Sequence, residues 1–387
     1  YNKALSIKPD YAEAYFNMGN TLKQQRKLEG AIDAYTKALS IQPNYSGALN
    51  NMGNTLIGVI FKKPNQDIQE AIVSVLNSGT YARPMDIARA SISLLKFEPN
   101  LQKYLQLADN EVIQNALDII SDLSKLSLLL KLMSVCPLPD LEIEKLFKNL
   151  RRAILTNISD INYAPPELLK FQSALALQCF TNEYIYSQTK KEEKILQSLD
   201  ASVRKTLRSN EQPGPQVILA FASYKALNEY DWYKLLDVTD HIKDVFVRQI
   251  EEPNQEKKLK IDIPVLGEIT DKVSSEVRAQ YEESPYPRWV NLGLSLKPMT
   301  TSEVFNVIKL KLHDAKITEV EKPEILIAGC GTGQHSIETA ARFKSSKVLA
   351  IDLSLSSLAY AKRKTDELGI RNINYMHADI LDLAKLN

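Results

Sequence analysis

The sequence predicts a multidomain chain of α plus α/β class: an α-helical array at the N-terminus, a helical middle region, and part of an α/β unit at the C-terminus. Three observations carry this. Residues 1–22 repeat as residues 35–56 at a constant offset of 34. Residues 101–250 carry apolar side chains at helical spacing. After residue 320, short apolar runs alternate with a glycine-rich turn and helical segments. A chain of 387 residues also exceeds one ordinary core. The expected boundaries are 1–100 for the repeats, 101–250 for the helical middle, 251–264 for a polar linker, and 265–387 for a lead-in segment and the N-terminal half of the α/β domain.

Each element has a local reason. In the array, Tyr1 matches Tyr35, Ala4 matches Ala38, and Pro9 matches Pro43. The run Met18-Gly19-Asn20-Thr21-Leu22 returns as Met52-Gly53-Asn54-Thr55-Leu56. Gly19 and Ala31 are small where two helices must cross closely, and Pro43 stops the second helix. This period and pattern resemble the tetratricopeptide repeat, an α-solenoid element. The next repeat shifts from 34 to 40 residues, which points to an insertion within 61–67. Asn17 and Asn51 each stand one position before the Met-Gly pair. The phrasing resembles the repeats of O-linked N-acetylglucosamine transferase, which implies a groove holding a protein or peptide backbone through these amides. An amide suits that role because it both donates and accepts.

The middle region reads as helices with few chemical signals. The charge run 189–194 reads as a solvated helix face. Cys136 and Cys179 read as small buried residues, and His241 stands alone. The stretch 250–264 is polar, charged and ended by proline, which suggests the linker.

Residues 325–328, ILIA, suit a strand buried on both faces. Gly329, Cys330, Gly331, Thr332, Gly333 and Gln334 follow, opening a helix whose first N–H groups are free for a carboxylate. Asp352, followed by Leu353, ends the next strand 19 residues after Gly333. A third strand at 373–377 leads to Ala378, Asp379 and Ile380. The dinucleotide fingerprint needs a third glycine where Gln334 stands. The observed G-x-G-x-G spacing resembles class I S-adenosylmethionine-dependent methyltransferases, which have a Rossmann-like fold. That resemblance implies S-adenosylmethionine as cofactor, with Asp352 on the ribose hydroxyls, Asp379 on the adenine amino group, and Ala378 or Ile380 against the ring. Ile327 departs from the family, which commonly has an acidic residue there. Segment 280–289, QYEESPYPRW, resembles one between repeats and catalytic domain in bacterial-type tetratricopeptide methyltransferases. It implies a lid or substrate contact through Tyr281, Tyr286 and Arg288. His335 is a further polar candidate at the helix start.

The family's sheet is larger than the three strands read here, so the domain is expected to be incomplete at Asn387. The chain also begins inside a repeat. Both ends read as cut, and such a fragment is expected to be inactive. The region that would carry acceptor and base is not among these motifs, so no catalytic residue is identified. The alternative function is an interaction scaffold with a vestigial Rossmann-like part.

Composition narrows the partners. Hydrophobic content of 44% and charged content of 25% are ordinary for a globular protein. Lys+Arg 48 against Asp+Glu 47 argues against nucleic acid and membrane surfaces. The three cysteines are far apart and lack metal-ligand spacing, so no metal is expected and a reducing, cytoplasmic compartment fits. No signal peptide is evident, and the most apolar run, 127–136, is short and carries Lys131.

Overall fold

The computed structural model describes residues 1–107, 113, 115–161, 163–283 and 285–385. The chain divides into two compact units, Tyr1–Glu251 with Trp289–Asn291, and Glu252–Arg288 with Leu292–Asn387.

The first unit is built of helices. Ala12–Gln24 and Leu28–Ile41 pair as one complete repeat, and Ser46–Leu56 opens the next. The pair approaches closely because Gly19 has no side chain. A Cβ there would lie 2.5 Å from the Tyr35 ring, which is fully buried. The second helix stops at Ile41, just before Pro43. Residues 57–65, which include most of the expected insertion, are not helical. The chain is nevertheless tied down there. Phe61 is buried and its N–H donates to Ser93 Oγ, while Asn65 caps the Gln66–Asn77 helix by accepting from Ile68 N–H.

The middle helices share the same core. Phe147 of Leu141–Thr156 meets Phe171 of Pro166–Thr181 edge to face, and both are fully buried. Cys136 and Cys179 are buried free thiols. The helical expectation at 108–112 and 114 lies outside the described residues.

The charge run at 189–194 is solvated as expected except at Glu192. Glu192 is only 1% exposed. Thr189 and Glu192 form a reciprocal capping box at the start of Lys190–Arg208. The cap folds the Glu192 carboxylate inward, where it accepts from Tyr224 Oη at 2.7 Å and pairs with Arg152 at 3.6 Å. A sequence window shows the charges but not the distant tyrosine and arginine that receive them.

The second unit starts with another difference. The stretch expected to be a linker contains a helix, Glu252–Leu259, and a 3-10 turn, Lys260–Asp262. Pro253 follows closely on the π-turn Val247–Glu251, an irregular stretch of helix that accommodates a missing N–H. The helix lacks an apolar stripe, and charge partners hold it instead. The guanidinium of Arg363, 4% exposed, pairs with Glu256 at 2.8 Å and Glu252 at 3.0 Å.

Strands β1 (Glu324–Ala328), β2 (Lys347–Asp352) and β3 (Ile373–His377) form a parallel sheet in the order β1-β2-β3. Helix Gln334–Arg342 connects β1 to β2, and Leu355–Glu367 connects β2 to β3. This is a Rossmann-like arrangement, whereas the first unit consists of the repeat solenoid and the helical middle. Central β2 buries Val348, Ala350 and Ile351. Burial of β1 on both faces is not observed: Ile327 is buried, but Leu326 is 45% exposed. Among the described strands β1 pairs only with β2, so it is an edge.

Candidate functional site

The C-terminal ends of the three strands converge on one loop system. Beyond β1 the chain turns through Gly329–Gly333. The N–H groups of Gly329 and Cys330 both donate to Ile351 O, at 2.9 and 3.0 Å, stitching the loop across the end of β2. Gly329, Gly331 and Gly333 have φ of 71°, 52° and 86°. Other residues adopt this left-handed region only with strain. The three glycines differ in what surrounds them. A Cβ at Gly329 or Gly331 would meet nothing within 4 Å, whereas one at Gly333 would lie 2.5 Å from Ala361 Cβ. Gly333 thus lets the loop press on the Leu355–Glu367 helix, and the other two leave open space.

Asp352 faces this loop from the tip of β2. One carboxylate oxygen accepts from Gly331 N–H at 2.7 Å, the other from Ser354 N–H at 2.9 Å. Each oxygen keeps a further lone pair for a ligand. The carboxylate is thereby fixed in place before anything binds.

Open space and carboxylate belong to one cavity of about 350 Å³. This lies within the range of small-ligand sites, about 300–1,000 Å³. Gly329, Gly331, Asp352, Leu353, Ala378 and Ile380 line it, all expected from the sequence. Tyr281 and Tyr286 line it too, so the lead-in segment does reach the loops. Val277, Ile351 and Ser357 complete the lining and were not anticipated. A signal existed for Val277: it stands four residues before Tyr281 in the Lys272–Glu283 helix, hence on the same face.

The other expected residues lie outside the lining. Cys330 is buried, and burial, aided by the nearby Asp352 charge, pushes its thiol pKa well up. It is a poor nucleophile there. Thr332 donates its hydroxyl to Pro287 O at 3.0 Å, tying the glycine loop to the lead-in segment. Gly333 serves packing, and Gln334 begins the helix. Asp379, 3% exposed, accepts from Leu381 N–H and holds the turn after β3. The charge of Arg288 acts on Glu256. His335 is exposed and Ile327 is buried in β1. Ser284 of the lead-in segment lies outside the described residues.

In the first unit, Asn17 and Asn51 are half-buried on the first helices of their repeats. Asn51 Nδ2 donates to Asn20 Oδ1 at 2.7 Å, an oxygen that also accepts from Tyr35 Oη at 2.8 Å. Asn51 Oδ1 in turn accepts from Asn50 Nδ2 at 3.3 Å, so both ends of its amide have partners within the repeats. The chance of these bonds is not visible in the Asn17/Asn51 equivalence alone.

Among the described residues, no cluster of potential ligands could hold a metal ion, and no helix is long and apolar enough to cross a membrane. Comparison with protein families matches residues 325–387 to a methyltransferase domain and residues 12–45 to a tetratricopeptide repeat. Among curated proteins, none matches the chain. The chain thus joins a tetratricopeptide repeat to a methyltransferase domain.

Proposed function

We propose that this repeat-bearing methyltransferase chain binds S-adenosylmethionine in the cavity at the strand ends, and that its repeats recruit a protein substrate or partner. The observation that carries the reading is the combination at one cavity of two positive-φ glycines with open space where a Cβ would be and a carboxylate prepositioned by backbone amides. The donor set fits a nucleoside-bearing sulfonium. Asp352 has lone pairs left for two ribose hydroxyls, and charge-assisted bonds of this kind contribute about 1.5–3 kcal/mol each. Ala378 and Ile380 provide apolar surface for a base. Gly329 and Gly331 admit a ligand close to the main chain. The first N–H groups of the Gln334–Arg342 helix suit a carboxylate.

When bound, S-adenosylmethionine supplies an electrophilic methyl group. The residues of this chain hold and orient it, and methyl transfer depends chiefly on such positioning. Burial disfavours the thiolate of Cys330, so that side chain serves the loop rather than the chemistry. The role of Asp379 on the adenine amino group belongs to the same proposal. Its carboxylate is buried, and Leu381 N–H occupies one oxygen. In the repeats, Asn17 makes no side-chain hydrogen bond among the described residues, which supports an open amide there. Asn51 donates to Asn20 and its Oδ1 accepts from Asn50 Nδ2 at 3.3 Å, so one N–H and one lone pair of its amide are left for a partner peptide.

Against a dinucleotide, the third fingerprint position is Gln334, and the helix-packing duty falls one residue earlier, on Gly333. Calorimetric titration tests the assignment. S-adenosylmethionine and S-adenosylhomocysteine should each give a saturable heat, and NAD none. A response to NAD with none to either sulfur compound would reject the reading.

A further inference from the structure

Val277 and Tyr281 wall the cavity from the Lys272–Glu283 helix. What holds it is concentrated at its last turn. Glu282 Oε2 accepts from Ser356 N–H at 3.0 Å and from Ser354 Oγ at 3.2 Å. Its Oε1 accepts from Lys260 Nζ at 2.8 Å. Two backbone carbonyls join them: the single Ser354 hydroxyl proton is shared between Glu282 Oε2 and Tyr281 O, and Ser356 Oγ donates to Glu282 O. Ser354 and Ser356 open the Leu355–Glu367 helix, and Ser354 is also the residue whose N–H holds Asp352. One carboxylate therefore occupies the positive end of that helix, one residue from the tyrosine on the cavity wall. The chain Asp352–Ser354–Glu282 links the ligand carboxylate to the wall.

We infer that Glu282 is a positioning residue, a latch that seats the 272–283 helix on the start of the 355–367 helix and thereby governs how long a ligand stays in the cavity. Lys260 braces it. The inference deepens the proposed function and rests on the cavity being the ligand site. Although burial opposes its charge, the Lys260 ammonium and the Ser356 amide hold the Glu282 carboxyl below its usual range, consistent with an ionised latch. The carboxylate is the only side chain in the group that can accept from the helix amide, the serine and the lysine at once.

The test uses the full chain with S-adenosylhomocysteine as probe. Stopped-flow dissociation is compared among the parent, Glu282→Ala, Glu282→Gln and Lys260→Met. Hydrogen exchange of 272–283 is followed in parallel without ligand. Glu282→Ala should raise both the dissociation rate and the exchange of 272–283 roughly tenfold, the scale of one lost charge-assisted hydrogen bond. Glu282→Gln keeps an acceptor and should fall between parent and Ala, and Lys260→Met should do the same, since it removes the lysine's bonds to Glu282 and to Ser356 Oγ but keeps those of Glu282 to the serines. Exchange in β2 and β3 should not change, which separates an open latch from a misfolded variant. Unchanged exchange of 272–283 in all three variants overturns the latch. Raised exchange with an unchanged dissociation rate overturns its effect on the ligand. Absence of binding by the parent itself rejects the cofactor reading, and the exchange data then still decide whether the latch exists.

Discussion

Glycine does opposite work in the two units. In the repeats, Gly19 and Gly53 sit inside helices because something is already there. A Cβ would lie 2.5 Å from the Tyr35 ring at the first, and 2.7 Å from the Tyr81 carbonyl oxygen at the second. In the sheet unit, Gly329 and Gly331 have positive φ and nothing within reach. The first kind marks contact between parts of the fold. The second leaves open space, as the exposed turn glycines Gly58 and Gly369 also do, and Gly329 and Gly331 stand apart from those because they line the cavity with Asp352. Gly333 combines the two, with positive φ and a Cβ position 2.5 Å from Ala361. A glycine motif alone does not separate packing from binding; the neighbourhood of each missing Cβ picks out the packing glycines, and the cavity lining picks out the others.

A graded substitution series can break this distinction. Gly333→Ala should cost most, about 2–4 kcal/mol of unit stability, from overpacking against Ala361 plus left-handed backbone strain. Gly53→Ala should cost about 1–3 kcal/mol, since a backbone carbonyl cannot rotate aside as a side chain can. Gly331→Ala should cost about 1 kcal/mol, strain only, while weakening S-adenosylhomocysteine far more than it weakens the fold. Denaturant unfolding and ligand titration of the same three variants provide the ranking. Equal stability losses at 331 and 333 would erase the contrast.

A smaller effect is expected from acid. In the first unit, burial opposes the charge on Glu192, but hydrogen bonds from Thr189 and Tyr224 and the Arg151 charge outweigh it, so its carboxyl lies below the ordinary range. A lowered folded pKa contributes stability that is present above the unfolded value and is lost as pH falls through the folded one. The melting temperature of the first unit should therefore drop on acidification below the ordinary carboxylate range. Glu192→Gln should start lower and show a flatter acid limb. An acid limb of unchanged slope in that variant would assign the effect elsewhere.

The strands and the glycine loop were legible because their signals are local. The expected strands, at 325–328, ending at Asp352, and at 373–377, agree with Glu324–Ala328, Lys347–Asp352 and Ile373–His377 to within a residue at each stated end. Apolar runs, glycines and an acidic strand tip all lie within a few residues of one another. The repeat was legible because its period copies itself. What escaped depends on partners distant in the chain. Glu192 is buried because Tyr224 and Arg152 await it. Residues 252–259 are helical with no apolar stripe because Arg363 supplies the counter-charge. Val277 reaches the cavity wall on a helix anchored by Ser354 and Ser356. Even β1 departs from its apolar sequence, because exposure follows from which strands pair with it rather than from its own residues. Of the proposed site residues, Gly329, Gly331 and Asp352 could be read directly, while the differing duties of Gly333 and Asp379 required coordinates.

The central claim is that Asp352 and the open glycines form the ligand site of the methyltransferase domain. It is tested most directly by titrating S-adenosylhomocysteine into the chain and into its Asp352→Ala variant by calorimetry. Loss of the carboxylate should weaken binding by about 2 kcal/mol, roughly thirtyfold, with the variant still folded. Equal affinity in the two proteins would contradict the account and remove Asp352 from the site.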